Sequence, residues 1–286
     1  MLSEKIMKEY LDEYFSKYSE NNAVRSVAEF FLSFPGKDYD LESIIGDILR
    51  GSLDEVIDMP RTSRFSLAEL EKTEKTYIGT KVEILFRNTF RLEKGNKLDL
   101  FIEGHEVDVK NTIGPNWTIP SEALNEICVL LQTNDNKSSF SFGLVICRDR
   151  VLNQGRNRDG KRTISMEGKK EILWLVRDGA LPKNFFLHMD DDLRNQILSP
   201  AGGATRLANL FRSHQGEVIT RRIVECVARQ KDYMKRIREN GGARGILAPE
   251  GLVILWGGNL EDKEKLKFLG YKGISVEHFV CVERNN

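Results

Sequence analysis

The chain has no net charge: 43 basic side chains balance 43 acidic ones, so the total selects no class of partner. Long apolar runs are also missing. No window approaches the roughly 18 to 20 apolar residues that span a bilayer, and the opening stretch MLSEKIMKEYLDEYF is charged every few residues, unlike a secretory leader. Neither export nor a membrane partner is expected. Cysteine is scarce: Cys128, Cys147, Cys226 and Cys281 are far apart and form no Cys-x-x-Cys pair, which excludes the common zinc and dithiol motifs and fits a reducing, intracellular setting. The four histidines, His105, His188, His214 and His278, show no metal spacing and accompany no Ser or Cys nucleophile pattern. There is no internal repeat and no low-complexity tract.

What is present is enough for a globular protein of one large or two ordinary domains, with 286 residues and 40% hydrophobic content. Charge is unevenly distributed. Residues 1–60 hold 13 acidic and 6 basic side chains, a net of −7, whereas residues 203–244 hold 10 basic and 4 acidic, a net of +6. The C-terminal part is therefore the better candidate for meeting a polyanion.

The N-terminal 35 residues read as two amphipathic helices, with Val24, Val27, Phe30 and Phe31 at helical spacing before a break at FPGKDYD. Residues 66–90 are again mostly helical, with Val82, Leu85, Phe86 and Phe90 as the expected buried stripe. The period then changes. Residues 97–102 and 105–110 alternate around Glu103-Gly104, the pattern of a short hairpin. Residues 120–132 read as a helix, and FSFGLVICR and KKEILWLVR as buried strands, so the first part is α/β: a mixed sheet flanked by helices. RDGALPKN, 177–184, reads as a linker, dividing the chain into domains 1–178 and 185–286. Beyond it, 189–198, 203–213 and a long run from about 218 to 239 read as helices, and GLVILWGG and VEHFVCVE as a small sheet. Helices followed by a small sheet suggest a winged-helix-like module.

Within the hairpin, Asp108 and Lys110 share one face because side chains at i and i+2 of a strand point the same way. An antiparallel partner carries Asp99 toward Asp108, and two close carboxylates repel unless a cation holds them. Mg²⁺ suits a few carboxylate oxygens completed by water and phosphate. A lysine beside it can orient or help deprotonate the attacking water while the metal neutralises charge on a phosphodiester. Glu83, on the preceding helix, is the natural fourth member. The blander reading is an exposed hairpin in which Asp-x-Lys occurs by chance.

Asp99 followed by Asp108-Val109-Lys110 resembles the PD-(D/E)XK nuclease core. The blocks LEKTEKTYIGTKVEI, LDLFIEGHEVDVKNT, NRDGKRT and VARQKDYMKRIRENGGAR, from about residue 70 to 245, resemble the NaeI-type restriction endonucleases in particular. The resemblance implies an acidic Mg²⁺ site of Glu83, Asp99 and Asp108, with Lys110 as the water-orienting lysine. It also implies a type II, IIE-like enzyme of the bacterial cytoplasm that cuts double-stranded DNA at a short GC-rich palindrome of the GCCGGC type. A homodimer and a second, effector copy of DNA at the C-terminal winged-helix-like domain follow from the same resemblance. One departure is that Leu98, not proline, precedes Asp99.

Two basic regions are candidate DNA contacts. CRDRVLNQGRNRDGKRTIS, 147–165, mixes Arg156, Arg158, Lys161 and Arg162 with Asn153 and Asn157, residue types that read guanine and adenine edges. A solvated loop touching only phosphates fits the same residues. In the expected long helix, Arg222, Arg229 and Arg236 recur every seven residues, a rise of about 10.5 Å that can follow a phosphate backbone. The alternatives to a restriction enzyme are a mismatch- or structure-directed repair nuclease on the same core and a non-catalytic winged-helix regulator.

Overall fold

A computed structural model describes residues 4–34, 40–230 and 232–284. The chain forms two compact units, Met1–Ile57 with Ser66–Asn184, and Asp58–Phe65 with Phe185–Asn286. In the first unit, α1 (Glu4–Lys17) and α2 (Asn22–Ser33) are the expected N-terminal pair. The break expected at residues 34–40 falls mostly on 35–39, outside the described residues. A third helix, α3 (Leu41–Ile57), buries Leu41, Ile45, Ile48, Leu49 and Leu53 along one face. The single turn α4 (Met59–Thr62) belongs to the second unit.

Next comes α5 (Lys72–Phe90), opened by a capping box in which the Glu71 N–H donates to Glu74 at 2.9 Å. It closes at Arg91, left-handed with φ 53°, whose N–H reaches back to the last turn. Ile78, Val82, Phe86 and Phe90, spaced by four, form its buried stripe, while Leu85 is half-buried. Phe31 of α2 packs on Phe86, Phe90 and Phe142 with ring centroids 5.4, 5.0 and 5.3 Å apart. Edge-to-face pairs of this kind contribute about 0.5–1.5 kcal/mol each beyond the area they bury. This cluster fixes α5, and with it Glu83, against the sheet.

The strands of this unit are β1 (Leu100–Ile102), β2 (His105–Thr112), β3 (Thr118–Ile119), β4 (Ile127–Asn134), β5 (Ser139–Ile146), β6 (Arg162–Thr163) and β7 (Leu173–Ala180). Five form one sheet in the order β1-β2-β4-β5-β7, in which only β2 and β4 run parallel, and β3 pairs with β6. The first unit is thus mixed α/β, a mostly antiparallel sheet flanked by helices. The helix expected over 120–132 is a 3-10 turn at Ser121–Ala123 followed by β4. Ile127 to Leu131 are all buried, and an apolar run buried on both faces has no period to distinguish strand from helix. Asn125, at φ 66°, breaks any helical start in the preceding SEALNE.

The second unit contains α6 (Asp191–Leu198), α7 (Gly203–Ser213), β8 (Val218–Thr220), α8 (Arg221–Ala228), α9 (Met234–Ile237), α10 (Ala243–Leu247), β9 (Leu252–Trp256), α11 (Leu260–Phe268) and β10 (His278–Glu283). Its three-stranded antiparallel sheet has the order β8-β10-β9, with Phe279 stacked on Trp256 at 6.1 Å and edge-on to Tyr233. The single helix expected over 218–239 does not exist. The β-branched Val218, Ile219 and Thr220 pair with β10 instead. Downstream, α8 stops at Arg229, left-handed with φ 54°. The buried Arg206 guanidinium donates to the Val227 and Ala228 carbonyls at 2.7 and 2.8 Å, taking acceptors that a longer helix would give to its own N–H groups.

Candidate active site

Glu103 and Gly104, with φ 48° and 83°, form the tight turn of the β1–β2 hairpin, the backbone sign that matches strand twist. Leu100 pairs with Val107 and Phe101 with Glu106, so one further step of the register sets Asp99 opposite Asp108. Asp99 Oδ2 accepts the Val109 N–H at 2.8 Å. Lys110 Nζ lies 2.7 Å from Asp108 Oδ2 and 3.7 Å from Asp99 Oδ2. On its other side β2 runs parallel to β4, placing Asp108 beside Cys128, whose thiol is 3.9 Å from the carboxylate.

Asp108 is 3% exposed. Burial pushes its carboxyl up to about 7, against the opposing pull of Lys110. Burial alone would lower the Lys110 ammonium, but the Asp108 and Asp99 carboxylates outweigh it and hold the pKa above its usual value. The Glu83 carboxyl is pushed up first by burial and then by the charge of Asp99, with Lys110 among the cations opposing the shift. Glu83 thus feels the charges of Asp99 and Lys110.

The donor chemistry suits Mg²⁺, since every candidate ligand is a hard carboxylate oxygen and a carboxylate buried beside a second one calls for a cation. Among the described residues no three His, Cys, Asp or Glu side chains are already gathered as a ligand set. Lys110 is ion-paired with both aspartates.

The basic stretch folds as a loop that returns on itself, with the Asn153 N–H donating to Thr163 O and the Asn157 N–H to Lys161 O. Asn157 Oδ1 accepts the N–H groups of Asp159 and Lys161, and the Asn153 amide donates to Thr163 Oγ1 at 2.8 Å. Arg162 is buried, donating to Asn153 O at 2.6 Å, Asp149 Oδ1 at 2.5 Å and Leu152 O at 3.2 Å. It holds the loop from inside, while Arg156, Arg158 and Lys161 are exposed at its tip. In the second unit Arg222, Arg229 and Arg236 are exposed. With the long helix broken, the seven-residue ridge is absent. Arg229 and Arg236 instead both act electrostatically on Arg206, whose pKa is lowered first by burial and then by these two charges.

One residue was not anticipated. Glu106 accepts three consecutive backbone N–H groups, those of Asn96, Lys97 and Leu98, at 2.8, 3.2 and 2.9 Å. Those bonds, that of Leu98 foremost, hold its carboxyl below the usual range. Its signal was the strand period itself, because Glu106, Asp108 and Lys110 are successive members of one face.

A mixed sheet flanked by helices, with two aspartates and a lysine at one hairpin and a glutamate that feels their charge, fits the class of nucleases built on the PD-(D/E)XK core. More specific evidence comes from known proteins. The family model for restriction endonuclease NaeI matches residues 36–283. The type II restriction enzyme NaeI of Lentzea aerocolonigenes is 37% identical over 250 residues, 80% of this chain and 78% of that protein. The chain belongs to the NaeI restriction endonuclease family. These matches favour neither a repair nuclease nor a regulator.

Proposed function

We propose that this type II restriction endonuclease hydrolyses double-stranded DNA with Mg²⁺ held by Glu83, Asp99 and Asp108, and with Lys110 orienting the attacking water. The observation that carries the reading is the buried Asp108 carboxylate, 2.7 Å from Lys110 and facing a second carboxylate, in a chain of this family. When bound, Mg²⁺ supplies positive charge to the phosphodiester oxygens. The protein groups do the positioning. Asp99 is oriented by the Val109 N–H, Asp108 is held by burial and by Lys110, and Lys110, 2.7 Å from Asp108, is placed to orient the water.

The cleavage domain is assigned to residues 1–178 and a winged-helix-like effector domain to residues 185–286. The helices of the second unit and its three-stranded antiparallel sheet support that second assignment. Cutting both strands of a palindrome calls for a two-fold homodimer. A GC-rich GCCGGC-type site rests on the family alone. Arg156, Arg158 and Lys161, on a loop shaped by Asn153, Asn157 and Arg162, meet substrate DNA. Arg222, Arg229 and Arg236 meet the effector copy.

Supercoiled plasmid incubated with Mg²⁺ or with EDTA tests the activity. Discrete linear fragments with Mg²⁺ alone are expected. Nicking confined to mismatched duplexes, or retardation without any cleavage, would sink the reading.

A further inference from the structure

We propose that Glu106 is a positioning residue for the nuclease site: its carboxylate clamps the turn Gly95–Leu98 and so sets the place of Asp99. The inference rests on the reading of Asp99 as a metal ligand.

The turn precedes Asp99 directly. Its three successive N–H groups all point at one carboxylate, Asn96 to Oε1 and both Lys97 and Leu98 to Oε2, a backbone cradle closed on a negative side chain. Gly95 completes it by donating its N–H to Asp99 O at 3.4 Å. A Cβ on Gly95 would stand 2.4 Å from Glu106 Oε2, 2.6 Å from Leu98 O and 2.8 Å from Leu100 O, so the carboxylate reaches the turn only because this residue is glycine.

Glu106 is two residues before Asp108 on β2 and opposite Phe101 in register. Strand β2 therefore grips Asp99 at two points. Glu106 holds the backbone leading into it, and the Val109 N–H, 2.8 Å from Oδ2, holds its carboxylate. Without the clamp, the backbone leading into Asp99 would lose the three bonds that tie it to β2 through Glu106. Ligand groups must be held to within about 0.5 Å to work together. Exposed charged contacts add little to global stability. The clamp should therefore be felt at the site more than in the fold.

The test compares the parent with Glu106→Gln, Gly95→Ala and Asp99→Asn, each as the full chain. Mg²⁺ binding is measured by calorimetry without DNA, the Mg²⁺ needed for half-maximal plasmid cleavage is titrated, and the melting temperature and DNA affinity are taken in EDTA. A neutral amide at 106 cannot accept at both oxygens. Glu106→Gln should weaken Mg²⁺ binding and raise the Mg²⁺ requirement about tenfold, the scale on which ligand-orienting partners act, with cleavage recovering at saturating Mg²⁺. Melting and DNA affinity in EDTA should hardly move. Gly95→Ala, pressing on the same oxygen, should act in the same direction, and the two together should shift the Mg²⁺ requirement by less than their sum. An unchanged Mg²⁺ dependence in Glu106→Gln overturns the inference. So does a loss that tracks a fall in melting temperature and persists at saturating Mg²⁺. If Asp99→Asn also binds Mg²⁺ like the parent, the metal-site reading itself fails. If only Asp99→Asn is impaired, the site stands and the clamp does not.

Discussion

The two units handle charge in opposite ways. In the first, the hairpin groups proposed for chemistry are withdrawn from water: the Asp108 side chain is 4% exposed, and those of Lys110 and Asp99 are 25% and 24% exposed. In the second, Arg222, Arg229 and Arg236 lie open to solvent while Arg206 is buried among backbone carbonyls. The contrast follows from what each task requires. Acting on one phosphorus atom demands groups fixed to fractions of an ångström, whereas neutralising a run of phosphates tolerates mobile side chains. The arginine-rich stretches share a second lesson. Arg162 in the loop and Arg206 in the second unit each satisfy several carbonyls, so fewer cations face outward than composition suggests.

Substitutions can break this contrast. The largest effect is expected from Asp108→Ala, which should lower plasmid cleavage by more than about 100-fold while gel-shift affinity for the same DNA in EDTA stays near that of the parent. Normal cleavage by this variant would remove Asp108 from the site. Next is Arg206→Met, which strands the Val227 and Ala228 carbonyls. Urea unfolding should show a loss of about 1–3 kcal/mol, against about 0.5 kcal/mol or less for Arg229→Ala at the surface. Equal losses would mean that the buried and exposed arginines do not differ in kind. The smallest effects are expected at the loop tip. Arg156→Ala, Arg158→Ala and Lys161→Ala should each reduce the slope of log affinity against log salt by about 1 for every phosphate the variant no longer neutralises. Arg162→Ala should instead leave the slope unchanged and lower the melting temperature.

Much of the first unit was legible locally. The Glu103-Gly104 turn between two alternating runs gives the hairpin, and apolar residues every four positions give α5. In the second unit the same reasoning holds for α6, α7, β9 and β10. It fails where local pattern carries too little information. Residues 127–131 are apolar at every position, so strand and helix read alike until pairing on both sides selects β4. The 218–239 region reads as one helix, yet Val218–Thr220 pair with β10 and α8 stops at Arg229, its last carbonyls bonded by a guanidinium from α7. Glu106 was visible as a member of the Asp108–Lys110 face. Its purpose was not, because its partners are backbone N–H groups of a turn eight to ten residues upstream, and backbone groups leave no trace in residue identity.

The order of residues alone determined which side chains share the hairpin face, since a period of two and a two-residue turn are properties of a few consecutive positions. Tertiary structure decided how deeply that face is buried. Parallel pairing of β2 with β4, and packing of α5 through Phe31, Phe86 and Phe142, withdraw Asp108 from water and bring Glu83 within its neighbours' electrostatic reach. Burial depends on chain segments far apart in sequence, and burial is what turns an ordinary aspartate into one whose carboxyl is pushed up to about 7.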